Sequence, residues 1–110
     1  MTDIFEHGPG WGPISRRAIE RLREVDPLIE SLQVKEKFGG LRIYLQLTRS
    51  TSDEIQAIDQ IVLDAEDEAS VTCVECGHVG DDVYTRVPAG GCWYRTTCNK
   101  CTDKVEVTRV

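Results

Sequence analysis

Two Cys-x-x-Cys pairs, Cys73-Val74-Glu75-Cys76 and Cys98-Asn99-Lys100-Cys101, stand 21 residues apart and constrain this chain more than any other feature. One tight turn can present both sulfurs of a pair to the same ion, and two pairs complete a tetrahedral thiolate shell. The spacing is that of a zinc ribbon. Gly77 directly follows Cys76, where a knuckle needs unusual backbone geometry. Strands are expected over 83–87 and 92–97, joined by a turn at Pro88-Ala89-Gly90-Gly91. Four protein ligands leave no open position for water, so Zn2+ bound by Cys73, Cys76, Cys98 and Cys101 would be structural. Residues 73–101 offer few large apolar side chains, chiefly Val79, Val83, Tyr84, Val87, Trp93 and Tyr94. Such a ribbon should fold only as it binds its ion.

Other uses of the cysteines fit less well. No run approaches the roughly 18 apolar residues of a membrane span, and MTDIFEHGPGWG lacks the basic-then-apolar order of a signal peptide. These features predict a cytoplasmic protein without a membrane segment, and thiols in that compartment stay reduced. A redox dithiol usually comes as one Cys-x-x-Cys beside a βαβ unit, and an iron–sulfur cluster fits ribbon spacing less well than zinc. His78 reads as a surface histidine and Cys92 as a small buried residue.

The remaining 1–72 segment reads as an α+β core of helix, β-hairpin and helix, with the 73–110 ribbon packed on it. The Gly8-Pro9-Gly10-Trp11-Gly12-Pro13 stretch is turn-rich, and Trp11 is a candidate anchor. Pro13 suits the first turn of a helix. Ile14, Ala18, Ile19, Leu22 and Val25 then give that helix one apolar face, and Asp26-Pro27 ends it. Its arginines, Arg16, Arg17, Arg21 and Arg23, read as partners of nearby acids. A second helix starts at a capping box, Thr51 with Glu54, and buries Ile55, Ile58, Ile61, Val62, Ala65 and Ala69.

Between the helices, QVKEKFGGLRIYLQL predicts a hairpin turning at Gly39-Gly40. That register pairs Phe38 with Leu41, Lys37 with Arg42, Lys35 with Tyr44 and Val34 with Leu45. Phe38, Val34, Leu32, Leu41, Ile43, Leu45 and Leu47 then share an apolar face, with Glu36 the one misfit, at the sheet margin or paired with an arginine. Lys35, Lys37, Arg42 and Tyr44 share the outer face with Gln33 and Gln46. A slip of one residue would scramble the faces.

Charge is unevenly spread over a chain whose net charge is −6. Residues 31–50 carry +3, whereas 51–72 carry −7 with no base. A nucleic-acid binder usually shows a basic excess, and only the hairpin supplies one. With Arg86, Trp93, Tyr94 and Arg95, the hairpin's basic face could still combine phosphate contacts with base stacking. A metal-dependent enzyme would want histidines and carboxylates around an open site, yet the chain has only His7 and His78. Glu6-His7 reads as incidental in a flexible opening segment. The expectation is a non-catalytic protein.

The blocks QVKEKFGGLRIYL, TCVECG and GGCWYRTTC, with the early Gly10-Trp11, resemble a family of small uncharacterised phage and prophage zinc-ribbon proteins. Many relatives close the second knuckle with a histidine where this chain has Cys101, which changes one ligand and keeps four. The resemblance implies a phage accessory protein that occupies a host protein, for example as an anti-defence inhibitor of the anti-CRISPR kind. Lys35, Lys37, Arg42, Tyr44 and Arg95 are the candidate partner or anion contacts. A hairpin of two strands has open edges, so a homodimer through strand pairing stays open as well.

Overall fold

The computed structural model describes residues 2–29, 31–45, 51–88, 94–102 and 107–109. The fold is α+β, as expected. Its first element is a strand that the sequence reading missed: β1, Thr2–Glu6, lies parallel to β2, Ser31–Lys37, with Ile4 opposite Gln33. The opening segment is therefore structured. Parallel partners are separated by a whole crossover, so five residues of mixed polarity give no local sign of the pairing.

The crossover contains a short 3-10 turn, Pro9–Trp11, and helix α1, Gly12–Val25. Pro13 sits in the first turn, and Ile14, Ala18, Ile19 and Leu22 are buried along the anticipated face. Asp26 leaves the helix with extended backbone, and its carboxylate accepts the Leu28 amide at 3.0 Å, which turns the chain towards β2.

β2 and β3, Gly40–Leu45, form the predicted antiparallel hairpin, but its register differs by two residues. Lys37 faces Gly40, Lys35 faces Arg42, and Val34 faces Ile43. The turn is Phe38-Gly39, with φ 53° and 78°, and not Gly39-Gly40. Two positive φ values give the mirror-type turn whose twist matches the strands. An even shift leaves every strand residue on its predicted face, so alternation could not distinguish the registers. Phe38 alone changes role, from the apolar row to the turn, where it is 72 % exposed.

Helix α2, Ser52–Ser70, begins at the anticipated capping box, with both reciprocal bonds between Thr51 and Glu54 present. Ile58, Ile61, Ala65 and Ala69 are buried, while Ile55 is exposed. The two helices cover one face of the β1-β2-β3 sheet. Between sheet and helices lie Trp11, Leu22, Leu32, Val34, Leu41 and Ile58, and Val74 from the first knuckle joins the same core. Three of the four α1 arginines pair with acids as expected: Arg17 with Glu68 at 2.6 Å, Arg21 with Asp64 at 3.5 Å, and Arg23 with Asp3 at 2.8 Å.

The C-terminal part is a second sheet of three strands. β4, Tyr84–Pro88, pairs with β5, Arg95–Thr97, and also with β6, Val107–Arg109, which was not anticipated. Helix α3, Asn99–Thr102, forms one turn after β5. Of the expected 92–97 strand, Tyr94 lies just before β5 and outside it, while Cys92 and Trp93 fall outside the described residues.

Candidate metal centre

The four Sγ atoms of Cys73, Cys76, Cys98 and Cys101 all lie within 4.8 Å of one another, and Cys76 and Cys98 are 3.6 Å apart. Four sulfurs bound at about 2.3 Å to one tetrahedral ion stand about 3.8 Å from each other. The four sulfurs are close enough together to hold a metal ion.

Each knuckle is built from local bonds. In the first, the Cys73 amide donates to the His78 carbonyl at 2.8 Å, and the Gly77 amide donates to the Cys73 carbonyl at 2.9 Å. Gly77 has φ 81°, the left-handed geometry anticipated for the residue after Cys76. In the second, Cys98 ends β5 and Cys101 rides on α3. Asp82 ties the two together: one carboxylate oxygen accepts the Asn99 amide at 3.0 Å, and the other faces His78 Nε2 at 3.1 Å. The Asn99 amide and His78 hold the Asp82 carboxyl below its usual range, against a small cost of desolvation. His78 is thus turned towards Asp82 and stands outside the sulfur cluster.

The thiols are already differentiated. Burial pushes the Cys73 thiol up, but the Cys76, Cys98 and Glu75 amides outweigh it and bring the pKa down to about 7. Burial and the neighbouring sulfurs raise Cys101.

Arg86 gives the clearest sign that this region anticipates negative charge. It is 2 % exposed, and its guanidinium donates to the Asp82 and Thr97 carbonyls at 2.6 and 2.7 Å and reaches Asn99 Oδ1 at 3.4 Å. Thr97 and Asn99 flank Cys98. The Tyr84 ring stacks 3.6 Å away. Among the described residues Arg86 has no ion pair, and its Nε has no hydrogen-bond partner. A buried cation without a counter-ion is costly, whereas a divalent ion held by four thiolates carries a net −2. The donor set and the charge beside it suit such a centre.

The first knuckle also leans on the rest of the chain. The Trp11 indole N–H donates to the Thr72 carbonyl at 2.8 Å, and the Gly10 amide donates to the Val74 carbonyl at 2.7 Å. Trp11 is the anchor suggested by its position, and it anchors the opening segment to the ribbon as well as to the core. His7 packs beside it. His7 Nδ1 must donate to the Gly8 carbonyl at 2.7 Å, which leaves Nε2 to accept from the buried Ser15 hydroxyl at 2.7 Å. His7 is structural rather than incidental.

The candidate contact residues divide. Lys35, Arg42 and Tyr44 share the outer sheet face; Lys35 lies 3.7 Å from Glu6, and Arg42, on the edge strand β3, lies 3.8 Å from Glu66 of α2. Lys37 stands over the Phe38 ring at 5.8 Å. Arg95 does not join them: it sits beneath the hairpin, paired with Glu36 at 3.4 Å and with Glu75. Glu36, the misfit of the apolar face, is thereby explained as an arginine partner. Arg86 is buried and is no nucleic-acid contact. Asp82 and the buried role of Arg86 escaped the sequence reading, since no local pattern marks either. No protein-family model matches the chain, and no curated protein or solved structure is significantly similar to it.

Proposed function

We propose that this is a non-catalytic zinc protein that acts by stoichiometric binding to another protein. In this reading it is a phage accessory protein working in the host cytoplasm, with a host defence component as its target. The observation that carries the metal part is the four-sulfur cluster with the buried Arg86 beside it, which has no ion pair among the described residues. Four sulfurs would fill the shell of a zinc ion, so the metal holds a shape and does no chemistry. The partner part is supported by the separation of charge between the sheet's outer face and α2, which would steer association. The phage origin rests on the resemblance of the KEKFGGLR block and the knuckles. Among the described residues no helix is long and apolar enough to cross a membrane.

Nucleic-acid binding is the weaker alternative. With Arg86 buried and Arg95 paired, the basic face retains Lys35, Lys37, Arg42 and Tyr44, two of which already face acids. β3 is an edge strand, open to pairing with a second copy. Elemental analysis of the purified protein should find one zinc per chain. Capture from bacterial lysate at several salt concentrations should retain one protein stoichiometrically. Absence of metal, or of any retained protein, would refute the corresponding half.

A further inference from the structure

The hairpin tip combines two features that each work against folding. Phe38 holds φ 53°, a left-handed conformation that bulky side chains avoid and that asparagine or glycine adopts readily. Its ring is also 72 % exposed, so burial does not offset that strain. Among the described residues its one cation–π or aromatic contact is with the Lys37 ammonium, 5.8 Å from the centroid.

The base of the turn, by contrast, is fixed. The buried Thr96 hydroxyl donates to the Gly39 carbonyl at 2.6 Å. A Cβ on Gly39 would stand 2.6 Å from Thr85 Cγ2 and 3.2 Å from Tyr94 Cβ, so the turn sits directly on β4 and the start of β5. The Glu36–Arg95 pair braces the strand below. A rigid mount thus presents one aromatic ring to solvent, with the half-exposed Tyr94 beside its base. Strain held by the surrounding structure and unrewarded within it marks a functional position.

We infer that Phe38 is a binding anchor: its ring enters an apolar pocket on a protein partner whose rim is acidic and accepts Lys37. This rests on the proposed binding function and assigns its working surface. A preordered aromatic residue loses little entropy on docking, which is why such residues dominate protein interfaces. The charge distribution selects a protein over a nucleic acid. Lys35 and Arg42 on the same hairpin already face Glu6 and Glu66, and a polyphosphate strand reaching Lys37 would meet a chain of net charge −6 with seven acids along 51–72.

The test uses the full zinc-loaded chain with Phe38→Asn and Phe38→Trp. Asn-Gly is the preferred pair for this turn, so Phe38→Asn should melt at or above the wild-type temperature. The protein captured by wild type from bacterial lysate, once purified, should bind Phe38→Asn roughly thirty-fold more weakly in calorimetry, the loss expected for an anchor. Phe38→Trp should retain it. A lower melting temperature for Phe38→Asn would mean that the ring serves the fold, and the inference falls. Undiminished binding by Phe38→Asn overturns the site assignment and leaves the binding function standing. Capture of nothing by wild type removes both. Binding of single-stranded oligothymidine by wild type, abolished in Phe38→Asn, would overturn the choice of a protein partner.

Discussion

The sheet-and-helix region and the cysteine region of this protein are held together by different physics. The first buries a continuous apolar cluster from Trp11 to Ala69, with Ile14, Leu22, Leu32, Val34, Leu41 and Ile58 at its centre. The second has a cluster made almost entirely of its candidate ligands: Cys73, Val83 and Cys98, with Cys101 against them. One region can lose a methyl group and remain folded, whereas the other has little apolar packing besides its four sulfurs. Across the seam Val74 reaches into the first region's core, and the rest of the seam is polar and specific. It consists of Trp11 on Thr72, Gly10 on Val74, Thr96 on Gly39, and Arg95 between Glu36 and Glu75.

The sharpest way to break this contrast is to remove the metal. Structural zinc typically contributes about 10–16 kcal/mol to such a site. Chelation, or Cys98→Ser, should therefore erase amide protection across Tyr84–Pro88 and Arg95–Thr97 in hydrogen exchange while the α1 and α2 amides stay protected. Equal loss in both regions would show that the division is false. Next in size is Trp11→Ala. It removes a fully buried ring and the bond to Thr72, and large-to-alanine changes of this kind cost about 3–5 kcal/mol. Because Trp11 serves both regions, it should lower the melting temperature and also weaken zinc retention against a competing chelator. Leu22→Ala, away from the seam, should cost about 2–5 kcal/mol and leave zinc retention unchanged.

How much of this could be seen in the sequence follows the range of the interactions. Cysteine spacing and the Thr51–Glu54 box are local patterns, and both the sulfur cluster and the α2 start were legible. The hairpin was legible in its faces only: alternation specifies odd against even, and the choice of Phe38-Gly39 depends on how closely Gly39 must approach Thr85 and Tyr94. Parallel pairing of β1 and the attachment of β6 depend on distant partners. Arg86 was misread because a charged residue is ordinarily exposed, and only the three-dimensional placement beside Cys98 explains its burial.

Acid should separate two ion pairs of opposite sign. The Asp3 carboxyl is held below its usual value, first by its bonds to Arg23 and against some desolvation. A depressed carboxyl stabilises the fold above its unfolded pKa of about 3.9, and the contribution disappears as pH falls through the folded value. Urea midpoints should therefore drop as the pH is lowered below about 4, and Asp3→Asn should flatten that drop. A slope unchanged by Asp3→Asn would place the acid sensitivity elsewhere.

Glu36 should behave in the opposite way, with the smallest effect of the series. Burial raises its carboxyl, and the nearby Arg95 only partly offsets this. A raised carboxyl contributes most below its unfolded pKa of about 4.3, and that contribution is lost as pH rises through the folded value. At neutral pH the ionised group is therefore a mild burden on the seam. Glu36→Gln keeps the shape and removes the charge, while Arg95 retains Glu75. Its stability at pH 7 should match or slightly exceed that of wild type in urea melts, by less than about 1 kcal/mol. A clear loss would mean that the Arg95–Glu36 pair outweighs the desolvation of Glu36. The seam would then be held by charge and not merely aligned by it, and the contrast between the two regions would need a third, electrostatic term.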